Sequence, residues 1–126
     1  MTNPAPSSAT STGLAPNLAG ALSYLLGPLT GVLFLVLEKD NRFVRFHAMQ
    51  STILGAMWIV LSIVLNILLS IIGMVPVIGW IVAILVSFGL GLVGFVLWLL
   101  LMWKAWQGQE WEVPVAGPIA RQQLDR

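Results

Sequence analysis

FHAMQSTILGAMWIVLSIVLNILLSIIGMVPVIGWIVAILVSFGLGLVGFVLWLLLMW, residues 46–103, contains no Asp, Glu, Lys or Arg. A membrane-spanning helix takes roughly 20 apolar residues at about 1.5 Å each. The run is therefore too long for one crossing and suited to two. Its middle, GMVPVIGW over 73–80, holds Gly73, Pro76 and Gly79, the punctuation of a turn. One span is predicted near 48–72 and another near 80–103. Trp80 at one end, with Trp103 and Trp106 at the other, fits aromatic belts at both membrane surfaces.

Upstream, EKDNRFVRFH (38–47) gathers Glu38, Lys39, Asp40, Arg42 and Arg45 beside this charge-free run. Asp40 or Asn41 is placed to cap the helix that follows. Before it, residues 18–37 form a third apolar stretch, long enough to span, with Pro28 expected to kink it. Residues 1–17, MTNPAPSSATSTGLAPN, are rich in Pro, Ser, Thr and Ala without apolar periodicity and read as a disordered tail. No Lys or Arg precedes the 18–37 segment, so it does not read as a secretory signal. Downstream, residues 107–126 are polar, broken by Gly108, Pro114, Gly117 and Pro118, and read as an amphiphilic segment on the membrane surface.

The expected fold is thus all-α: an integral membrane bundle of three transmembrane helices over 18–106, between a disordered N-terminal tail and an amphiphilic C-terminal one. Composition agrees. Hydrophobic residues make up 58% of the chain and charged residues 9%, against about 25% charged in soluble domains. The excess must face the lipid bilayer. A net charge of +1 without basic stripes counts against nucleic acid. The absence of cysteine and the single histidine exclude thiol chemistry and multi-histidine metal sites. No cofactor or metal is expected.

Lys39, Arg42 and Arg45 on one side, and Lys104, Arg121 and Arg126 on the tail, contrast with a turn at 73–80 that has no charge. Positive residues mark the cytoplasmic side. With three spans this predicts a multi-pass protein of the cell (inner) membrane, N-terminus outside and C-terminus cytoplasmic.

Small residues bring helices together in lipid, where apolar burial supplies no drive. Gly79, Ala83, Ser87 and Gly91 recur at steps of four, as do Ala19, Ser23, Gly27 and Gly31. Each stripe reads as packing for the chain's own bundle, or as a seam for a homo-oligomer or another membrane protein. Asn66, with Ser62 and Ser70 at the same spacing, is expected to bond across a helix interface, with a pore-lining role as the alternative.

His47, Gln50 and Ser51 share one helical face at the start of the second span, near Glu38. Two uses fit: a structural clamp that ties the loop to the tail, or a docking site for a partner. A proton or ion relay is a third. Glu38, Arg42, Arg45, His47, Gln50 and Ser51 are taken as the candidate interaction face. Nucleophilic catalysis is not expected, because Ser51 and His47 lack an orienting acid in any motif. No catalytic residue is assigned.

The run LSYLLGPLTGVLFLVLEKDNRFVRFHAMQS, residues 22–51, and a closing pattern of Ala105, Gln107, Gly108, Pro114, Gly117 and Ala120 resemble a family of small bacterial and archaeal membrane proteins. That family is grouped with the Tic-twenty subunit of the chloroplast inner-envelope import complex. The likeness covers residues 18–120 and rests most on Tyr24, Gly31, His47, Ala48, Gln50 and Ser51. It implies a helical membrane bundle and, through the chloroplast member, a part in protein translocation. The plant protein is similar to a four-span bundle, one more than is counted here. The sequence leads to an accessory or scaffold subunit that acts by interaction, with a channel or transport component as the alternative.

Overall fold

The charge-free run folds as two long helices joined by a tight turn. Five helices make up the computed structural model, which describes residues 10–124: α1 (Pro16–Leu22), α2 (Pro28–Leu37), α3 (Arg42–Ile72), α4 (Ile78–Trp106) and α5 (Ala116–Leu124). There is no strand among the described residues. α3 has 31 residues and α4 has 29, so they are about 46 and 43 Å long. Both are long and apolar enough to cross a membrane. Asn41 starts α3: its side chain accepts the Val44 N–H at 3.2 Å. The turn between α3 and α4 is closed by Trp80, whose indole N–H donates to the Gly73 carbonyl at 3.1 Å.

The first apolar stretch differs from expectation. In place of one helix over 18–37 there are two short ones, of 7 and 10 residues, with a reversal at 23–27. Gly27 has φ 63°, a conformation that costs glycine little, and Pro28 follows as the first residue of α2. Proline here starts a helix; it does not kink one. The two helices form a hairpin. Its open end is pinned at the charged end of the long helices: the Asn17 amide donates to the Trp106 carbonyl at 2.7 Å, and the Ser11 N–H donates to Glu38 at the end of α2. Its tip reaches the middle of α3, where Pro28 lies against Gly55.

This reversal satisfies its own backbone. Every N–H from 23 to 27 donates: those of Ser23, Tyr24 and Leu25 to carbonyls of α1, that of Gly27 to the Tyr24 carbonyl, and that of Leu26 to Thr30 Oγ1 at 3.1 Å. The exposed carbonyls are met by side chains: Ser23 O by Thr30 Oγ1 (3.0 Å), Tyr24 O by Trp98 Nε1 (2.8 Å) and Gly27 O by Ser51 Oγ (2.9 Å). Irregular backbone survives at membrane depth only when protein groups satisfy it.

Two glycines let the hairpin close on α3. A Cβ on Gly31 would stand 2.6 Å from Thr52 Oγ1 and 2.9 Å from the Ala48 carbonyl, and one on Gly55 would stand 2.5 Å from Pro28 Cδ. The core gathers around these contacts, with Tyr24, Leu101 and Ala105 on one side and Phe34, Phe43, Val44 and Ala48 on the other. Farther along, α3 and α4 touch through Trp58, whose ring occupies the space a Cβ on Gly94 would need.

A second difference concerns the ends. The described start of α1 and the tail after α4 lie at the same end of the bundle, because the hairpin returns the chain to its origin. The expected placement on opposite sides required an odd number of full-length helices, and the reversal at 23–27 removes one. The expectation of a disordered tail falls, for residues 1–9, outside the described residues. From residue 10 the chain is placed, with Thr10 Oγ1 donating to the Leu14 carbonyl at 2.8 Å. Arg126 likewise lies outside the described residues.

Gly55→Leu should force the hairpin off α3, at a cost of about 1–3 kcal/mol from overpacking. Thermal unfolding in detergent should show a lower midpoint for this variant. Gly91→Ala should leave the midpoint unchanged, because a Cβ there meets nothing within 4 Å.

Candidate functional site

A polar network is buried where the hairpin, α3 and the tail meet. His47 and Gln50 project from the first turns of α3, one turn apart, and Tyr24 enters from the hairpin reversal. All three are buried. His47 Nε2 lies 2.8 Å from the Gln109 carbonyl, which can only accept, so this nitrogen carries the proton. His47 Nδ1 therefore accepts from the Tyr24 hydroxyl at 2.7 Å. That hydroxyl in turn accepts from Gln50 Nε2 at 2.7 Å. Gln50 also donates to the Trp111 carbonyl at 3.0 Å and accepts the Val113 N–H at 2.8 Å. Each donor has one acceptor direction to fill, so the proton positions are fixed throughout. Among the described residues, no buried side-chain nitrogen or oxygen lacks a partner.

Aromatic rings wall the imidazole. Tyr24, Phe43 and Phe46 stand edge-on to it, with ring centroids 4.7–5.4 Å away. Arg121 of α5 closes the outside. Its guanidinium sits 4.4 Å from the centre of the Phe46 ring and pairs with Glu110 (2.8 Å) and Glu112. α5 can approach α3 because Ala116, Gly117 and Ala120 are small and buried.

Glu38 is a second anchor. Its buried carboxylate accepts N–H groups from Ser11 (2.8 and 3.0 Å), Asn41 (3.0 Å) and Asp40 (3.1 Å). Burial on its own raises the Glu38 carboxyl, but these donors outweigh it and hold the group below its ordinary value of 4.5. Arg45 completes the junction. It donates to the Glu38 carbonyl at 2.6 Å and the Leu35 carbonyl at 3.1 Å, which caps α2 with a cation.

The structure therefore places the residues of the candidate interaction face mostly inside. Glu38, His47, Gln50 and Ser51 are buried, Arg45 is half-buried, and only Arg42 is exposed. As a correction to the expected docking face, the first four are turned inward, because each supplies hydrogen bonds that backbone segments of the hairpin or tail lack. Of the residues assigned to helix packing, Gly31 packs on α3, Gly27 supplies the reversal, and Gly79 abuts the end of α3. Ser87 and Gly91 are exposed and Ala83 is half-exposed. The exposed Asn66 bonds its own helix, donating to the Ser62 carbonyl at 2.7 Å. Its neighbour Ser70 likewise donates to the Asn66 carbonyl at 2.7 Å.

Tyr24 and Arg121 carry the site and were not assigned to it from sequence. Tyr24 is the one tyrosine of the chain, inside an apolar stretch. A hydroxyl in that position requires a partner, and this was the available signal.

Below the hairpin tip, between α3 and α4, lies an apolar cleft of about 410 Å³ lined by Gly27, Pro28, Gly55, Trp58, Gly94 and Trp98, among others. Among the described residues, no group of three His, Asp or Glu could hold a metal ion.

Gln50→Leu leaves the Val113 N–H without its acceptor, a loss of about 1–3 kcal/mol. The variant should show faster amide exchange over 109–113 and easier tryptic cleavage at Arg121, with the exchange of α4 unchanged. Glu38 predicts a pH dependence. Its folded value is depressed, so its contribution is full above 4.5 and is lost as pH falls below that. Unfolding midpoints should drop on acidification through this range, and Glu38→Gln should reduce the drop.

The family model described as the magnetosome magnetite crystal formation protein family matches residues 9–120. A UPF0132 membrane protein of Archaeoglobus fulgidus is 48% identical over 108 residues, covering 86% of this chain and 94% of its own. Another, from Methanocaldococcus jannaschii, is 46% identical over 114 residues, covering 90% of this chain and 92% of its own. No solved structure matches the chain. These relatives agree with the expectation of a family of small membrane proteins with archaeal members. Matched over nearly its whole length, the chain belongs to the magnetosome magnetite crystal formation protein family.

Proposed function

We propose that the protein is an accessory subunit of a membrane assembly and acts through a polar platform at the end of its bundle, not through chemistry. One observation carries this reading. Four of the buried polar side chains are spent on structure: His47, Gln50 and Glu38 fix backbone at 11, 40–41 and 109–113, and Tyr24 holds His47 and Gln50. Their combined effect is to hold the loop and tail in one shape. Lys39, Asp40, Arg42, Gln107, Gln122 and Gln123 are left exposed on that end. The family's description names magnetosome magnetite crystal formation, and a shaped membrane platform suits an assembly role in such a process.

In this reading α3 and α4 cross the cell membrane, or a membrane derived from it, and the α1–α2 hairpin enters one leaflet and returns. Lys39, Arg42, Arg45, Lys104 and Arg121 all lie at the open end of the hairpin and none at the 73–80 turn, which supports a cytoplasmic location for that end. The N-terminal region then joins the tail on the cytoplasmic side. The transport alternative, with its link to protein translocation, has less support: Asn66 and Ser70 bond backbone of their own helix, so they do not mark a polar path.

Two measurements test this. Single cysteines at Thr12 and Gln123 should react with a membrane-impermeant maleimide from the same side, and one at Met74 from the other. Reaction of Thr12 and Met74 from one side would restore a three-span topology. A photoreactive residue at Arg42 should capture one defined membrane protein in cells, and the same residue at lipid-facing Leu85 should not. Capture of lipid alone from both positions would defeat the accessory-subunit reading.

A further inference from the structure

The bundle is unequal along its length. Beside residues 42–55 of α3 and 95–106 of α4 stand α1, α2 and, at the end, α5. Beyond Gly55 and Gly94, among the described residues, α3 and α4 have only each other for about 25 Å. Along that stretch Ile63, Ile67, Ile84, Leu85 and Phe88 are all exposed. The depth of the step follows from helix geometry. Pro28, at the hairpin tip, abuts Gly55, ten residues along α3 from Arg45. At 1.5 Å per residue this is about 15 Å, half of a hydrocarbon core of about 30 Å. With Arg45 at the headgroups, the hairpin fills one leaflet and stops at the midplane.

We infer that this chain is a one-leaflet wedge that partitions into curved membrane with its broad end in the convex leaflet. One leaflet must accommodate four helical cross-sections and the other two, each about 10–12 Å across with side chains. In a flat bilayer, lipid of the narrow side has to spread beneath the hairpin tip. The space to be filled is the apolar cleft under Gly27 and Pro28, bounded by Trp58, Gly94 and Trp98. Bending the membrane away from the broad end brings narrow-side lipid together and relieves that spreading. The partner of this surface is a lipid leaflet of defined curvature, and with the charged end in the cytoplasm the convex leaflet is the cytoplasmic one. The inference rests on the half-depth hairpin of the preceding reading.

The chain has no cysteine, so single ones report cleanly. Full-length Gln123→Cys and Met74→Cys proteins, both changed at exposed positions, are reconstituted into giant vesicles. An impermeant maleimide dye then marks only molecules whose labelled end faces outward. On membrane tubes pulled to about 20 nm radius, the Gln123-labelled population should be enriched about two-fold or more over the parent vesicle, and the Met74-labelled population depleted. Equal density of both populations on tube and vesicle overturns the wedge. Thr12→Cys separates this failure from that of the topology beneath it. It labels from the Gln123 side if the hairpin returns the chain to its origin, and from the Met74 side if residues 18–37 cross as one span.

Discussion

The Tyr24 hydroxyl is the point on which the molecule turns. It donates to His47 and accepts from Gln50, and the carbonyl of the same residue accepts from Trp98. Three parts of the chain, the hairpin reversal, α3 and α4, are thereby referred to one residue. His47 and Gln50 then extend the order to the tail through Gln109, Trp111 and Val113. In a hydrocarbon surrounding, apolar contacts cannot hold such parts together, since lipid offers the same contacts. Hydrogen bonds between groups with no other partner can. The network supplies them at the junction where four segments meet.

Much of the fold was legible from the distribution of charge. The gap between Arg45 and Lys104 with Gly73, Pro76 and Gly79 at its centre defines α3 and α4 to within a few residues at most ends. Asn41, one of two residues named for the cap, is the cap. The hairpin was not legible in the same way, because hydropathy over 18–37 is that of a spanning helix whether the chain crosses or reverses. The distinguishing signs are local and polar: Gly27 directly before Pro28, and Thr30 and Ser51 positioned to meet the carbonyls that the reversal frees. Proline after a glycine of positive φ reads as the first residue of a helix, and that sign outweighs its usual reading as a kink.

The convergence of His47, Gln50 and Ser51 on one face was likewise readable, and so was the clamp as one of its uses. Their inward orientation was not, because it depends on tail backbone about sixty residues away for His47 and Gln50 and on the Gly27 carbonyl for Ser51, which no helical spacing reveals. The same limit applies to Arg121. Its role over Phe46 and between Glu110 and Glu112 exists only once the tail has folded back. The resemblance pattern had included Tyr24, Gly108 and Gly117, and each now has a structural reason: the hub, a reversal at φ 80°, and a close approach of α5 to Glu112.

The polar reversal at 23–27 also sets an order of assembly. Residues 18–37 leave the ribosome before Ser51 and Trp98 exist, yet those side chains complete the bonding of the Gly27 and Tyr24 carbonyls. This segment, made before α3 and α4, thus reaches its final state only after α4 is in place. A chain that stops before Trp98 would fold this reversal without the one bond that ties it to α4.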